Sequence, residues 1–199
     1  AQAEAIKRVL RTSEPTLVLD NREFHNLLVN GVDVEYRAEN GDMRTTPVQL
    51  LDIEHPENNE FVAVNQYTMM QGDYHRRPDV VLFVNGLPLA VIELKDPGSE
   101  KANLKSAYNQ LQTYKAEVPA LFRYNELLII SDGLDAEVGT ISANYERFTP
   151  WKTIDGSKEL ASAPMLEVLL RGMCDKARLI DIVLKLASIK RERDFSVTI

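Results

Sequence analysis

Apolar residues recur along this chain in two rhythms, one helical and one strand-like, and their alternation predicts a layered α/β protein. Residues 3–11 carry helical spacing. A stretch richer in strand formers follows, with Leu-Val-Leu-Asp at 17–20 and a run from Phe24 to Tyr36. Within that run Phe24, Leu27 and Leu28 fit one helical face, and Asn30-Gly31 marks a turn. Val32, Val34 and Tyr36 alternate with polar residues at the two-residue period of a strand, and Asn40-Gly41-Asp42 signals another turn. Residues 32–38 and 43–53 are therefore predicted to pair as a hairpin. Residues 56–59 read as loop and 61–70 as a further strand.

The region from 79 to 95 is the most informative. Asp79 to Val84 and Leu89 to Lys95 are apolar, β-branched runs separated by Asn-Gly-Leu-Pro, a hairpin signature. Val80, Leu82 and Val84 fall on one side, Val81 and Phe83 on the other. Strands apolar on both faces lie in the middle of a sheet covered by helices. Residues 101–116 are predicted to form a helix with Leu104, Tyr108 and Leu111 as its apolar stripe. Glu126 to Ser131 reads as another buried strand, stopped by Asp132-Gly133. After Trp151, read as a packing anchor, helices are predicted over 158–171 and 175–190, joined near Gly172. Their pattern is compatible with packing on the core and with leading into a following domain.

Composition narrows the class. A chain of 199 residues, 44% hydrophobic and 27% charged, suffices for one sizeable globular α/β domain or a domain with an appendage. There is no internal repeat, and no apolar run approaches the roughly 20 residues of a membrane span. The opening residues lack the basic head and apolar stretch of a secretory signal, so no membrane partner is expected. The single cysteine, Cys174, excludes an internal disulfide and fits a reducing, cytoplasmic setting, where it is read as a small buried hydrophobe. The chain opens without Met inside an apparent helix and is expected to be part of something longer. Its net charge of -7 argues against holding nucleic acid by bulk electrostatics. Any reading that involves nucleic acid must therefore place that charge on metal-binding carboxylates or assign delivery of the nucleic acid to another domain or subunit.

Candidate chemistry gathers at the strand end. Glu93 and Lys95 are two apart and point to the same face. An acid and a base closing an apolar strand are costly to bury unpaired. Thirteen residues separate Asp79 from Glu93. A three-residue loop, Asn85 to Leu87, would pair Val84 with Pro88 and set Asp79 opposite Glu93, with Cβ atoms about 5 Å apart. A two-residue loop would set Asp79 opposite Ile92 instead. Two converging carboxylates suit a hard cation such as Mg²⁺, with the Leu94 carbonyl as a further ligand. Such an ion polarises a phosphodiester oxygen and acidifies a bound water, while Lys95 assists deprotonation or stabilises developing charge. The plainer alternative is an ion-pair cluster at a strand end. On the following helix Gln110 and Tyr114 are stacked four apart, on a face distinct from the Leu104–Leu111 stripe. They can orient a carboxylate or touch a DNA backbone; a solvated Gln beside a half-buried Tyr is the plainer alternative.

With these residues the chain resembles a known family. Arg77-Pro78-Asp79, the run Phe83 to Leu89, and Glu93-Leu94-Lys95 resemble the PD-(D/E)xK nuclease core. More narrowly, they resemble the R (restriction and translocation) subunit of type I restriction–modification enzymes. Gln110 through Tyr114 matches that family's QxxxY element, and Asn21 to Phe24, Asn65-Gln66 and Ile130 to Gly133 are similar to it as well. The resemblance implies a restriction-endonuclease-like α/β fold, a mixed central sheet flanked by helices with a helical C-terminal segment. It implies Asp79 and Glu93 as metal ligands, Lys95 as the catalytic lysine, and Gln110 with Tyr114 in support. It further implies Mg²⁺- or Mn²⁺-dependent cleavage of double-stranded DNA, with methyltransferase and specificity subunits as partners. In this family an ATP-driven translocase follows. No G-x-x-x-x-G-K-[ST] loop occurs in these residues, so ATP is expected only in a motor domain beyond them. The expected organisation is a nuclease domain over 1–155 and, over 156–199, a helical segment leading toward that motor. A non-catalytic docking module of the same fold and a stand-alone repair or junction nuclease are the alternatives.

Remaining residues are read more simply. Arg76, Arg77 and Lys105 are candidate DNA contacts, with surface ion pairing as the alternative. Lys115 and Arg123 fit either a DNA contact or a solvated face. His25, His55 and His75 lack ligand spacing and are read as surface or partly buried residues. Asp96 is read as a cap or loop residue. The family's nuclease cores often carry an early acidic residue, for which Glu4 and Glu23 are the positions available, and neither is assigned.

Overall fold

The computed structural model describes residues 2–11, 14–98, 103–157 and 163–194. Helices α1 (Gln2–Leu10) and α2 (Leu17–Asn30) come first, then strands β1 (Val32–Arg37) and β2 (Met43–Val48). Strands β3 (Phe61–Asn65), β4 (Met69–Gln71), β5 (Tyr74–Arg76), β6 (Val80–Val84) and β7 (Leu87–Leu94) follow. Helices α3 (Leu104–Glu117) and α4 (Pro119–Phe122) lead to β8 (Leu127–Ser131), β9 (Ala136–Gly139) and β10 (Thr149–Pro150). Helices α5 (Met165–Met173) and α6 (Lys176–Asp194) complete the order.

Among the described residues, six strands form one mixed sheet in the order β10-β9-β8-β7-β6-β3, with β7 and β8 parallel and the other neighbours antiparallel. This is the expected architecture: a mixed central sheet flanked by helices, with a helical C-terminal segment. Each face carries its own apolar cluster. On one, Leu89, Ala90, Ile92, Leu127 and Ile129 pack under α1, α2, α5 and α6 through Val9, Phe24, Leu28, Leu169 and Val183. On the other, Val81, Val91, Leu128 and Ile130 pack under α3 and α4 through Ala107, Leu111, Tyr114 and Phe122. The C-terminal helices thus share the main core. Gly172 lies so close to Trp151 and the Thr153 carbonyl that a Cβ there would collide with both.

The β6–β7 hairpin departs from simple pairing. Its loop has two residues, Asn85 (φ 52) and Gly86 (φ 78), the positive-φ pair of a type I′ turn. Val84 therefore pairs with Leu87 and Phe83 with Pro88. The register then shifts, so that Leu82 pairs with Ala90, Val81 with Val91 and Val80 with Ile92. Leu89 is the extra residue of a β-bulge. Its carbonyl accepts the Glu126 N–H at 2.8 Å and the Asn125 amide at 3.3 Å. Continuing the shifted register by one residue sets Asp79 opposite Glu93. Of the two loop lengths the sequence leaves open, the two-residue loop forms, and the bulged residue restores the Asp79–Glu93 alignment that a three-residue loop would have given.

Other boundaries moved for local reasons. Residues 17–20, read as strand-rich, begin α2, because Thr16 caps the helix by accepting the Leu19 N–H. Spacing at Asp20/Asn21, Phe24/His25 and Leu28 then buries a helical face. The single strand expected over 61–70 is two, β3 and β4, broken at Gln66, which takes φ 53. The hairpin expected over 32–53 pairs only as far as Val48. Residues 101 and 102 of the expected third helix, and 158–162 of the next, lie outside the described residues.

Candidate active site

The bulge decides which way the acidic strand end faces. Ala90, Ile92 and Leu94 belong to the α1/α2 side, so Val91, Glu93 and Lys95 alternate onto the α3 side. Asp79 alternates with Val81, which also lies on the α3 side. All three sequence candidates thus converge under one helix.

Asp79 is held at both oxygens. Oδ2 accepts the Leu94 N–H at 2.8 Å and Oδ1 accepts Gln66 Nε2 at 2.9 Å. Glu93 is 2% exposed. Its Oε1 accepts Lys95 Nζ at 2.8 Å, while Oε2 is buried with no hydrogen-bond partner. Lys95 Nζ also donates to Gln110 Oε1 at 2.5 Å, and Gln110 Nε2 donates to the Tyr114 hydroxyl at 2.5 Å. A chain of hydrogen bonds therefore runs from Tyr114 through Gln110 and Lys95 to Glu93. Tyr114 is more apolar in setting than its spacing implied, because its ring joins Ala107 and Leu111 in the cluster under α3.

Electrostatics follow from burial. Desolvation pushes the Glu93 carboxyl up from 4.5 to about 7; the Lys95 hydrogen bond opposes this and the neighbouring Asp79 charge adds to it. The Tyr114 hydroxyl is also raised, mainly by burial, with the Glu93 and Asp79 charges adding. A buried carboxylate oxygen without a donor, beside a second carboxylate, is a donor set that a hard cation fits. Among the described residues no group of three or more His, Cys, Asp and Glu side chains is arranged to hold a metal. The protein therefore offers two carboxylates. A cation there would complete its shell from backbone carbonyl, substrate and water, as Mg²⁺ commonly does.

The candidate DNA contacts fall in different settings. Arg76 pairs with Glu117 and lies over the Tyr74 ring at 5.8 Å. Arg77 is exposed next to it. Lys105 stands at the start of α3, 4.7 Å from the Tyr108 ring centroid and 4.4 Å from that of Tyr145. Glu4 and Glu23 are exposed on helices that cover the opposite face from Glu93. Asp96 accepts the Gly98 N–H in the loop after β7, and burial pushes the Cys174 thiol up to about 11. Lys115 donates to Gln112 and to the Ile141 carbonyl. Two cavities of about 650 Å³ each lie away from the site, one beside Asn21, Ile141 and Trp151, the other beside Asp52 and Asn85.

Two features escaped the sequence reading. Arg123, expected on a surface, is 7% exposed; it pairs with Asp20 and donates to the carbonyls of Leu10 and Arg11. Beside it His25 is 3% exposed, not a surface group, and its Nδ1 lies 2.8 Å from Glu126 Oε2. This buried polar set ties α2 to the start of β8. Its bonded partners lie more than 100 residues apart in sequence, so local spacing carries no sign of it. The second is Gln66, whose amide meets Asp79; the Asn65-Gln66 pair was a family likeness with no role attached.

Comparison with known proteins adds a lineage to this geometry. Residues 1–147 match the family described as the N terminus of the type I restriction enzyme R protein. The chain is 44% identical over 182 residues to the type I restriction enzyme HindI endonuclease subunit of Haemophilus influenzae, covering 89% of this chain and 17% of that one. It is 30% identical over 197 residues to a putative type I restriction enzyme MjaIXP endonuclease subunit of Methanocaldococcus jannaschii, covering 89% of this chain and 19% of the relative. The chain therefore spans less than a fifth of either relative's length.

Proposed function

Because the chain belongs to the family of type I restriction enzyme R protein N termini, we propose that it is the DNA-cutting module of such a subunit, hydrolysing phosphodiesters of double-stranded DNA with Mg²⁺ or Mn²⁺. The observation that carries this reading is Glu93 Oε2, buried and without a donor, next to Asp79 and under Lys95.

In this reading Asp79, Glu93 and the Leu94 carbonyl hold the cation. When bound, the ion polarises a phosphoryl oxygen and makes a coordinated water easier to deprotonate. Lys95 has three N–H donors, of which Glu93 and Gln110 take two in this structure. The third is available to a phosphate oxygen or an attacking water, where a fixed positive charge favours the transition state. Gln110 holds Lys95 on the α3 side and is itself held at Tyr114. Arg77, exposed two residues before Asp79, gives the DNA backbone a first cationic contact, with Lys105 a second and Arg76 mainly a brace through Glu117.

The net charge of -7 is consistent with a module to which DNA is delivered by the remainder of a longer subunit, where ATP would be used. Methyltransferase and specificity subunits are the proposed partners and the cytoplasm the proposed location. No helix among the described residues is long and apolar enough to cross a membrane. The deciding experiment is Lys95→Ala in the assembled restriction complex. DNA cleavage is expected to fall at least a hundredfold while ATP hydrolysis continues, following the usual scale of roughly 10²–10³ for one electrostatic group. Undiminished cutting would leave the fold as a docking module.

A further inference from the structure

Gln66 and Asp79 are the two ends of a single excursion of the chain. β3 pairs with β6 as far as Asn65 opposite Val80, and beyond that pair the backbone leaves the sheet to form the β4–β5 hairpin before returning at Asp79. The neck is closed twice. The Gln66 N–H donates to the Asp79 carbonyl at 2.8 Å, and the Gln66 side-chain amide donates to Asp79 Oδ1 at 2.9 Å. Gln66 makes this turn at φ 53, a left-handed conformation rarely taken by residues with a Cβ. Such conformations persist where the surroundings fix them, often beside functional groups.

We propose that Gln66 is a positioning residue for the metal centre, setting the rotation of the Asp79 carboxylate. The inference rests on the reading that Asp79 is a metal ligand. The terminal torsion of an Asp is broad, so one donor alone leaves the carboxylate plane free to swing. Leu94 N–H fixes Oδ2 and Gln66 fixes Oδ1, and two donors on two oxygens define the plane. Each oxygen keeps acceptor capacity for a cation. The hairpin does not depend on this amide for its attachment. Arg76 binds Glu117 of α3, and Gln71 Oε1 accepts the Ala120 N–H. Gln66 is itself exposed, so its side chain contributes to the geometry of Asp79 and not to the core.

Mn²⁺ titration of the metal-free chain without DNA, followed by electron paramagnetic resonance, tests this independently of cleavage. Gln66→Asn keeps a residue tolerant of left-handed φ but shortens the amide by one methylene. Gln66→Met keeps the length and removes the donor without adding a charge beside Asp79. Both are expected to weaken Mn²⁺ binding about tenfold, as loss of a ligand's hydrogen-bond partner commonly does, with an unchanged thermal midpoint. Wild-type affinity in both variants, with binding still lost in Asp79→Asn, overturns the role of Gln66 and leaves Asp79 as a ligand. Absence of Mn²⁺ binding in the wild-type chain overturns both readings.

Discussion

Leu89 and Glu93 are four residues apart on one strand and yet face opposite sides of the sheet. In an unbroken strand they would share a face. The bulge at Leu89 inverts the alternation, so Leu89 and Ala90 both enter the α1/α2 core, while Glu93 and Lys95 turn toward α3. Without it, Glu93 would point into an apolar layer, and Gln110 and Tyr114 would face a hydrophobic side chain. The geometry of the candidate centre therefore depends on a residue that carries no chemistry.

The bulge has its own support, which gives the first prediction. Asn125 is fully buried, and its amide donates to the carbonyls of Leu89 and Leu127. Asn125→Leu leaves buried acceptors short of a donor and should lower stability by about 1–3 kcal/mol in urea unfolding. If the bulge holds Glu93 in place, Mn²⁺ affinity falls in the same variant. A stability loss with unaltered Mn²⁺ affinity would show that β7 keeps its facing without Asn125.

The second prediction concerns pH. The Glu93 carboxyl sits at about 7 in the folded, metal-free chain, against an ordinary 4.5. The folded state therefore binds this proton more tightly than the unfolded state. The associated stability is complete below about 4.5 and is lost as pH rises through about 7. Urea midpoints between these limits should fall with rising pH in the wild type, with that component missing in Glu93→Gln. Metal binding has the opposite sign, because a cation requires the carboxylate, so Mn²⁺ affinity should climb through the same interval. Identical urea profiles for wild type and Glu93→Gln would contradict the assigned burial of this charge.

Adjacent arginines give the third. Arg77 is exposed, whereas Arg76 is engaged by Glu117. Arg77→Ala should weaken DNA binding by the assembled subunit and reduce the slope of log affinity against log salt by about 1. Arg76→Ala should leave that slope nearly unchanged, since its charge is already compensated. A reversed order would mean that DNA displaces Glu117 from Arg76.

Much of the site was legible in the chain because it rests on local periods. A two-residue period puts Glu93 and Lys95 on one face, and a helical period stacks Gln110 on Tyr114; neither needs tertiary information. Asn85-Gly86 marked a hairpin from sequence but left its loop length open, which the positive φ of both residues resolves as two. The sheet class followed from two-sided apolar runs such as Val80 to Val84. Arg123 and His25 were misread because their partners, Asp20 and Glu126, are brought to them only by the packing of α2 on the start of β8.

By itself, then, the sequence determined which side chains travel together on each element, since periodicity is a property of the local backbone. Tertiary structure decided which faces meet. One bulged residue, the crossing of α3 over the sheet and a strained turn at Gln66 bring Asp79, Glu93, Lys95, Gln110 and Tyr114 to one place. Those choices depend on register and packing between segments far apart in the chain, and no local spacing encodes them.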